Sequence, residues 1–419
     1  MVRLMILPVI ALQLAAASLP VAKPEEVGMS SERLQRIHQM VMRHVDAGDI
    51  SGAVTIVARR GRVVHFEAHG LMDIEAKKPM TKDALFRLAS SSKPVTAAAI
   101  LMLMEDGKLK LTDPVSKYIP EFKNSKVALE SVHGAVPMSD QTPASGERYY
   151  VVPANHEITI IDLLTHTSGL ATGGVTNEDV QKLLKARKPT DTLADFIPRI
   201  GGLPLDFQPG TQWRYSGLAG FDTLGRIVEI ASGMTFDEFL RQRLFEPLGM
   251  NNTSFNVPEK DAARVANIYR KTPGGLEKGA PLAIGTPVYF SGAGGLTCTA
   301  EDYLKFAQML ANGGQLNGKR ILSPWTVETM MSNNVGDLFN GQIGRAPKGV
   351  GFGLGGEVVV SAVDARLRKP DGSYGWDGAY GTYWWVNRKE QMVVIMFVQT
   401  PGRSLQYDFD NAVSQAVIE

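Results

Sequence analysis

The chain has 419 residues, of which 44% are hydrophobic and 21% are charged, which is typical of a globular protein with a large core or two domains. Its 44 basic and 43 acidic residues leave a net charge of +1, so no excess charge draws it to nucleic acid or to an anionic membrane. The single cysteine, Cys298, excludes an intramolecular disulfide framework and is expected to be a small buried filler. We expect no nucleic-acid partner and no stable membrane insertion, and the oligomeric state is left open.

Residues 1–22 have the features of a secretory signal or an N-terminal extension. Arg3 precedes the apolar run Leu4–Leu14, and Ala15 and Ala17 supply a small-residue cleavage pattern. The apolar run is too short for a membrane span. We expect a periplasmic or secreted protein, and the alternative is a cytoplasmic protein with an N-terminal extension.

A helix and a β-hairpin are predicted next. The segment MSSERLQRIHQMVMRHVDAGD has serine caps and apolar residues at helical spacing, which predicts an amphipathic helix ending near Gly48. Two β-rich runs in SGAVTIVARRGRVVHFEAHG predict a hairpin. His65 and His69 stand four apart on the second run, where that spacing puts both on one sheet face. We favour a plain sheet face over a zinc site there.

The stretch LFRLASSSKPVTAAAILMLMEDG places three serines, a lysine and a proline before a long apolar run. It predicts a helix from about Ser90 to Asp106. Residues three apart share one face of a helix, so Ser90 and Lys93 can bring a hydroxyl and an amine together. No other serine in the chain has a lysine three positions later.

This pair has the chemistry of an activated nucleophile. A hydroxyl becomes a good nucleophile when a base removes its proton, and lysine can be that base where burial or the positive end of a helix disfavours its charged form. If the stretch is catalytic, Ser90 is the nucleophile and Lys93 the base, whereas Ser91 and Ser92 are polar residues of the first turn. A four-residue pattern with two free positions is weak evidence alone, because it also arises by chance.

The remaining elements predict how the chain is organised. The middle, to about Gly285, mixes short helical patterns with turns, and its polar part from Glu121 to Asn155 suggests a loop over a site. The last part alternates strand-like runs and ends in a helical segment. We therefore expect an α/β fold of the α+β type, in which both chain ends share one antiparallel sheet flanked by helices. Residues 23–86 and 286–419 would form this domain, and residues 87–285 a mostly helical inserted domain, with the active site at the interface.

Two further segments carry residues suited to the same chemistry. Tyr215 stands just before a helical pattern, and a tyrosine beside the lysine could relay a proton to a leaving group. The triplet WDG, residues 376–378, stands at the start of a strand. A glycine there would let a ligand lie against the strand edge, and the next N–H, from Ala379, could join that of Ser90 as an oxyanion hole.

The order S-x-x-K, Y-S-x and a K-T-G-like triplet resembles the serine β-lactamase and penicillin-binding-protein superfamily. The fit is closest to class C β-lactamases and the related family VIII bacterial carboxylesterases. Four further segments of this chain also resemble recurrent segments of that family: LLTHTSGL, LFEPLGMNNTSF, SGAGGLTCTAEDYLKFAQMLANGG and GFGLGGEVVV. The likeness runs from about Glu25 to the C-terminus. It implies a β-lactamase/transpeptidase-like fold and an acyl-enzyme serine hydrolase that needs no metal and no organic cofactor.

The resemblance also implies roles for individual residues. Ser90 would be the nucleophile, Lys93 the base, and Tyr215 the residue that relays protons in acylation and deacylation. The backbone N–H groups of Ser90 and Ala379 would be the oxyanion donors. The expected activity is that of a serine carboxylesterase on small acyl esters, with slow cephalosporin opening as a side activity.

Two places depart from the β-lactamase pattern. Gly217 stands where those enzymes have the asparagine of Y-x-N, and Trp376, Asp377 and Gly378 stand where they have K-T-G. The missing lysine would pair with a substrate carboxylate and the missing asparagine would hold an amide, whereas a tryptophan offers an apolar wall. We expect these four residues at the substrate-binding surface, with Asp377 as a solvent-facing strand residue and not a catalytic one.

Several alternatives stay open. A β-lactamase, a D-amino-acid peptidase or an acyltransferase would use the same machinery, and a non-catalytic scaffold or binding protein would keep the fold without needing the three catalytic side chains. The glycines of GFGLGG, residues 351–356, spell G-x-G-x-x-G but lead into a strand-like run, so they indicate a glycine-rich strand. The chain contains no G-x-S-x-G, which excludes a nucleophile elbow of the α/β-hydrolase type.

Overall fold

A computed structural model describes residues 18–130, 149–285, 287–339 and 341–419. Most of the predicted signal, residues 1–17, and the centre of the expected loop, residues 131–148, lie outside the described residues. On either side of that centre, Lys126–Glu130 pairs with Tyr149–Pro153 as two antiparallel strands. The prediction of an irregular loop is therefore wrong for these flanks, whose β-branched and aromatic residues favour strand pairing.

The α-helices of the described residues are the following. They are α1 Ser31–Asp46, α2 Lys93–Glu105, α3 Ile160–Leu164, α4 Asn177–Lys185, α5 Leu193–Gly201, α6 Ala219–Ser232, α7 Phe236–Leu240, α8 Glu246–Leu248, α9 Ala300–Ala311, α10 Pro324–Met330, α11 Ala362–Ala365 and α12 Arg403–Ser414.

The strands of the described residues are the following. They are β1 Gly52–Arg59, β2 Arg62–Asp73, β3 Lys78–Pro79, β4 Phe86–Arg87, β5 Lys126–Glu130, β6 Tyr149–Pro153, β7 Tyr269–Thr272, β8 Gly275–Lys278, β9 Thr297–Cys298, β10 Gln315–Leu316, β11 Lys319–Arg320, β12 Val350–Phe352, β13 Glu357–Val359, β14 Tyr374–Asp377, β15 Tyr383–Asn387 and β16 Met392–Val398.

One eight-stranded sheet organises the molecule, with strand order β12-β13-β14-β15-β16-β1-β2-β3. Its central pair joins the two chain ends, because β1 runs antiparallel to β16 from Ala53 opposite Val398 to Arg59 opposite Met392. Both strands are buried along their whole length, which explains why their sequences are nearly continuous apolar runs. The predicted antiparallel sheet built from both chain ends is confirmed, whereas the exact domain boundaries stay a prediction.

The two faces of the sheet pack against different helices. Ala53 and Val57 of β1 lie in one core cluster with residues of α1 and α12, such as Ile37. The alternate residues of β1, among them Val54 and Ile56, lie in a larger cluster with α2, α6 and α9. Helix α2, which begins at Lys93, packs on the second face, and α1 covers the first.

Helix α2 begins later than the sequence predicted, at Lys93, because residues Ala89–Ser92 form a 3₁₀ turn. Pro94 suits the first turn of the helix, where an N–H has no partner to lose. Residues three apart eclipse each other in a 3₁₀ turn, so Ser90 and Lys93 still share one face. Every residue of α2 from Lys93 to Leu103 is buried, as expected for a helix that is apolar all round.

Three smaller sequence predictions are confirmed. The glycine-rich stretch at 351–356 forms the hairpin of β12 and β13 and not a phosphate loop. Cys298 is fully buried in β9, with its Sγ 3.0 Å from the Thr253 hydroxyl. His65 and His69 both lie on β2, on one face of the sheet.

Within the described part of the chain, no helix combines the length and the apolar character that a membrane span requires.

Candidate active site

The three consecutive serines have different environments. Ser91 and Ser92 are fully buried; the Ser91 hydroxyl contacts that of Thr382 at 3.0 Å, and the Ser92 hydroxyl accepts the N–H of Leu296 at 3.3 Å. Ser90 is only partly buried and lines an open cleft of about 240 Å³. Of the three hydroxyls, that of Ser90 is therefore the one presented to a ligand.

A strained backbone residue precedes Ser90. Ala89 has a φ of 45°, in the left-handed region that residues with a side chain rarely occupy. Leu88 holds the turn on the other side, because its N–H donates to the Leu296 carbonyl at 2.9 Å and its carbonyl accepts the Thr382 hydroxyl at 3.0 Å. Such strain is held by the surrounding structure and is common at functional sites.

Lys93 is fully buried and has three hydrogen bonds. Its Nζ donates to Ser90 Oγ at 3.2 Å, to the Gly217 carbonyl at 2.8 Å and to the Ala293 carbonyl at 2.9 Å. These partners are a hydroxyl and two carbonyls, and none of them is a carboxylate. The Lys93 amine thus has three defined hydrogen-bond partners, and one of these is the Ser90 oxygen.

Tyr215 completes the contact. Its hydroxyl donates to Ser90 Oγ at 2.6 Å, and Lys93 Nζ lies 5.0 Å from the centre of its ring. The structure therefore brings Ser90, Lys93 and Tyr215 together as the sequence predicted, although Tyr215 is far from the other two in the chain.

His166 supports Tyr215 and was not assigned a role from the sequence. The two rings lie 4.7 Å apart, and His166 Nδ1 accepts the N–H of Ser216 at 3.2 Å. Burial, and secondarily the charge of Lys93, holds the pKa of His166 well below its usual value, so the ring is neutral and can accept that bond. The segment LLTHTSGL contained the signal, but only the fold shows that its histidine orients the backbone beside Tyr215.

Asp222 is a second residue that the sequence analysis missed. It is almost fully buried, and its carboxylate accepts the Ser291 hydroxyl at 2.7 Å, the Ala293 N–H at 3.0 Å and the Tyr289 hydroxyl at 2.8 Å. Burial raises the pKa of Asp222 despite these bonds. These contacts fix the segment whose Ala293 carbonyl binds Lys93, so Asp222 positions the amine indirectly. No local sequence pattern indicates such a long-range contact.

The end of β14 forms the other wall of the cleft. Ser90, Tyr215, Trp376, Gly378 and Ala379 are among its lining residues. Ser90 and Ala379, the residues of the predicted oxyanion pair, thus line one cleft. Trp376 is only 3% exposed, so its ring forms a wall and does not project into solvent.

The structure gives a reason for a glycine at position 378 that the sequence did not indicate. A Cβ on Gly378 would stand 2.2 Å from the Leu88 carbonyl oxygen and 2.2 Å from the Thr382 hydroxyl. The small residue is therefore needed because the turn before Ser90 packs on this strand end. The glycine thus fixes the two sides of the cleft to each other, and the expectation that it also makes space for a ligand stays a prediction.

Asp377 does not face solvent as expected. Its carboxylate is partly buried and binds the Arg345 guanidinium at 2.8 Å, and Arg345 also pairs with Glu357 at 2.9 Å. The guanidinium lies 5.3 Å from the Trp376 ring. Arg345 is thus a cation close to the triplet that two carboxylates already hold. The sequence could not show this, because Arg345 is distant in the chain.

A second cavity of about 290 Å³ adjoins Tyr215 and Gly217. Its walls include Leu183, Leu184 and Phe196. A Cβ on Gly217 would meet nothing within 4 Å, so the space that an asparagine side chain would fill is open. The site therefore offers the cleft at Ser90 and, beside Tyr215 and Gly217, a second cavity with apolar side chains in its walls.

Several known proteins are similar to this chain in sequence or in fold. Protein Rv1367c of Mycobacterium tuberculosis (strain ATCC 25618 / H37Rv) is 36% identical over 381 residues, covering 86% of this chain and 89% of that protein. Esterase EstB of Burkholderia gladioli is 30% identical over 432 residues, covering 96% and 99%. The solved structure of EstCE1, described as a hydrolase with promiscuous acyltransferase activity, has a TM-score of 0.76 at 27% identity and covers 91% of this chain and 99% of that one.

The fold and the residues around Ser90 define a serine hydrolase. The match to the family described as Beta-lactamase extends over residues 37–417. The chain therefore belongs to the Beta-lactamase family, within the serine β-lactamase and penicillin-binding-protein superfamily. The resemblance stated from the sequence motifs is confirmed, including its likeness to bacterial esterases.

Proposed function

We propose that this protein is a serine carboxylesterase that hydrolyses short-chain acyl esters through an acyl-enzyme on Ser90. One observation carries the proposal: the hydroxyl of Tyr215 and the amine of Lys93 both lie within hydrogen-bond distance of Ser90 Oγ, at 2.6 and 3.2 Å. A nucleophile with two proton-transfer groups in contact is the arrangement that covalent catalysis requires. A binding protein that only kept the fold would have no use for it.

The hydrogen bonds of Lys93 fit the role of a base. A neutral amine has two N–H groups and one lone pair. In the neutral amine the two N–H groups donate to the carbonyls of Gly217 and Ala293, and the lone pair takes the third direction, along which the charged form donates to Ser90 Oγ. In its neutral state Lys93 can take the serine proton as Ser90 Oγ attacks the ester carbonyl carbon.

The remaining steps conserve every proton. The carbonyl oxygen becomes an oxyanion, and the N–H groups of Ser90 and Ala379 stabilise it. When the C–O bond of the ester breaks, Tyr215 donates a proton to the departing alcohol and recovers one from Lys93. Water then attacks the acyl carbon, gives a proton to the same pair and releases the acid, and Ser90 regains its hydroxyl hydrogen.

The substrate class follows from what surrounds Ser90. Trp376 and Gly217 replace the cation and the amide that would hold the carboxylate and side chain of a β-lactam, and Arg345 is already paired with Asp377 and Glu357. A lost charge-assisted contact weakens binding by roughly 1.5–3 kcal/mol. An ester needs only the oxyanion donors and an apolar acyl site, which Trp376 and the adjoining cavity supply. The similarity to Esterase EstB supports the same choice.

The decisive experiment compares two substrates on one preparation. We expect kcat/KM to be higher for p-nitrophenyl butyrate than for a chromogenic cephalosporin, with the cephalosporin opened slowly and with a raised KM. Esters of rising acyl length define the size of the acyl site. If the cephalosporin is the better substrate, Trp376 is misinterpreted and the protein is a β-lactamase.

Covalent labelling tests the enzyme class separately. A fluorophosphonate should label the wild-type protein and should fail to label Ser90→Ala, while Ser91→Ala and Ser92→Ala are labelled normally. Labelling that persists in Ser90→Ala and disappears in Ser92→Ala would contradict the assignment. Adding an alcohol acceptor to the same assay measures acyl transfer, the activity named for the similar EstCE1.

We also propose that residues 1–22 direct export of the chain. The support is the order of the basic, apolar and small residues in this segment. Expression in a secreting bacterial host should give a mature protein that begins near Ser18. An intact Met1 or Val2 in the exported fraction would contradict the proposal.

A further inference from the structure

Three side chains that can bind a metal ion converge between α1 and β2. His38 lies on α1, and Glu67 and His69 lie on β2, with one ligand atom of each within 4.8 Å of the others. Residues two apart on a strand point to the same side, so Glu67 and His69 both face the helix. His38 Nδ1 is 2.6 Å and His69 Nδ1 is 3.9 Å from the same carboxylate oxygen, Glu67 Oε1.

His69 has an unused ring nitrogen that points into this cluster. Its side chain is 0% exposed, its Nε2 lies 2.9 Å from the Thr55 hydroxyl, and its Nδ1 is buried without a hydrogen-bond partner among the described residues. A buried polar atom usually has a partner. Glu67 Oε1 lies 3.9 Å from this nitrogen, and an ionised carboxylate cannot donate a hydrogen bond to it.

Thr55 accounts for the proton on the other nitrogen of His69. Its hydroxyl contacts Nε2 of His65 at 2.7 Å as well as Nε2 of His69 at 2.9 Å. The hydroxyl has one hydrogen, so it can donate to only one ring, and the other ring must donate its own N–H. When His69 is that donor, its Nδ1 carries a lone pair that faces a carboxylate. A cation between the two satisfies both.

Neutral imidazole is the form that binds metal ions, and a His69 ring that donates its Nε2–H to Thr55 has a lone pair on Nδ1 for such an ion. The His38 side chain is 52% exposed, so its ring can rotate toward the same ion.

We propose that His38, Glu67 and His69 bind one divalent transition-metal ion, for which Zn²⁺ is the best match. Two imidazoles and a carboxylate are typical zinc ligands, and bonds of about 2.0–2.1 Å place tetrahedral ligand atoms roughly 3.3 Å apart. The separations of 2.6 and 3.9 Å lie on either side of that value. The His38 and Glu67 side chains are 52% and 38% exposed, so both have room to rotate toward a common ion.

Two surrounding features support the site. Thr55 holds His69 Nε2, which is the kind of outer contact that orients a metal-binding histidine. A groove of about 610 Å³ lies over the cluster, and His38, His65 and Glu67 are among its lining residues. An ion can therefore enter from solvent, and a water molecule can be its fourth ligand.

The ion would stabilise the fold and would take no part in ester hydrolysis. The cluster lies on the face of the sheet that α1 covers, together with Ala53 and Val57, whereas Ser90 lies on the opposite side. The bound ion joins α1 to β2, which the sequence analysis could not anticipate because it considered only His65 and His69. His38 comes from a separate element that the fold brings to the strand.

Metal binding is measured on tag-free protein treated with a chelator and dialysed. Titration with Zn²⁺ should show one equivalent bound and a raised melting temperature, and Co²⁺ should give the visible absorption of a tetrahedral site. His38→Gln and Glu67→Gln should each lower the affinity at least about tenfold. Both side chains are partly exposed, so the melting temperature without metal should change little.

The matched control is His156→Gln, which changes an exposed histidine far from the cluster and should bind Zn²⁺ as the wild type does. Turnover of p-nitrophenyl butyrate should be the same before and after chelation. Failure of the wild type to bind Zn²⁺, or equal affinity in wild type, His38→Gln and Glu67→Gln, would overturn the site. Loss of turnover on chelation would overturn the structural role assigned to the ion.

Discussion

Helices α2 and α9 both pack on the active-site face of the sheet, and each buries one lysine in a different way. Lys305 of α9 donates to the Asp302 carboxylate at 2.9 Å and to the Gly249 carbonyl at 2.6 Å. Lys93 of α2 donates to two carbonyls and to the Ser90 hydroxyl. Both amines are removed from solvent, but of the two only Lys305 forms an ion pair with a carboxylate.

The difference separates a structural lysine from a functional one. A buried ammonium paired with a carboxylate is held in its charged form and serves the fold. A buried amine whose partners are neutral can exchange its proton with one of them. Burial alone therefore does not distinguish the two lysines. The hydrogen-bond partners of each amine indicate which lysine takes part in catalysis.

Replacing Lys93 has the largest expected effect on activity. Lys93→Met removes the base, so kcat for p-nitrophenyl butyrate should fall by about 10²-fold or more. The unfolding free energy should change little, because an apolar side chain of similar length fills the buried space. Steady-state kinetics and urea unfolding of one preparation measure both quantities. A variant that remains active would show that Tyr215 alone serves as the base.

Replacing Lys305 should give the opposite result. Lys305→Met leaves the Asp302 carboxylate buried without its cation, which should lower the unfolding free energy by about 3 kcal/mol. The kcat per folded molecule should remain that of the wild type. If Lys305→Met loses activity while its stability is unchanged, the distinction between the two lysines fails.

The same comparison applies to His166, a buried base that forms no ion pair with a carboxylate within the described part of the chain. Its folded-state pKa lies well below the unfolded value of about 6.5. Because His166 binds a proton more weakly in the folded state than in the unfolded state, its contribution to the unfolding free energy is complete above pH 6.5 and is lost as the pH falls. The unfolding free energy should decline by up to about 1.4 kcal/mol per pH unit below 6.5.

A variant isolates this contribution from those of other groups. Buried Asp222 and Asp410, whose pKa burial raises, act in the opposite direction. The difference between wild type and His166→Asn therefore reports the histidine alone. Asn can accept the Ser216 N–H and tolerates the positive φ of 59° at this position. Parallel pH profiles of the two proteins would refute the assignment.

Asp222 should have the smallest effect of the residues near Lys93, because it acts through Ala293. Asp222→Asn keeps the size of the side chain but loses one acceptor, so the Ala293 carbonyl shifts relative to the amine. We expect kcat to fall about tenfold, with KM nearly unchanged and the pH dependence of kcat displaced. A purely structural role would lower the unfolding free energy and leave the pH profile as it is.

Local patterns predicted much of this site, and long-range contacts explain the rest. The contact between Ser90 and Lys93 was predictable because the two residues are only three positions apart in the chain. Tyr215 was predictable because it belongs to a motif of the family. The hydrogen bond between Ala293 and Lys93 depends on the packing of distant segments, and so does the ion pair that holds Asp377. The sheet was predictable because its strands alternate or are continuously apolar, whereas the fit of Gly378 against Leu88 requires atomic positions.

The pairing of β1 with β16 has a consequence for biosynthesis. The hairpin of β1 and β2 leaves the ribosome first, but the partner of β1 is among the last strands to be made. Until then the hairpin has an unpaired apolar edge, which invites association with other chains. The nascent protein thus depends on completion of its own C-terminal strand, and slow translation or truncation there should favour aggregation. A fold closed by its last strand also reaches its native state slowly, because its central contacts are distant in the chain.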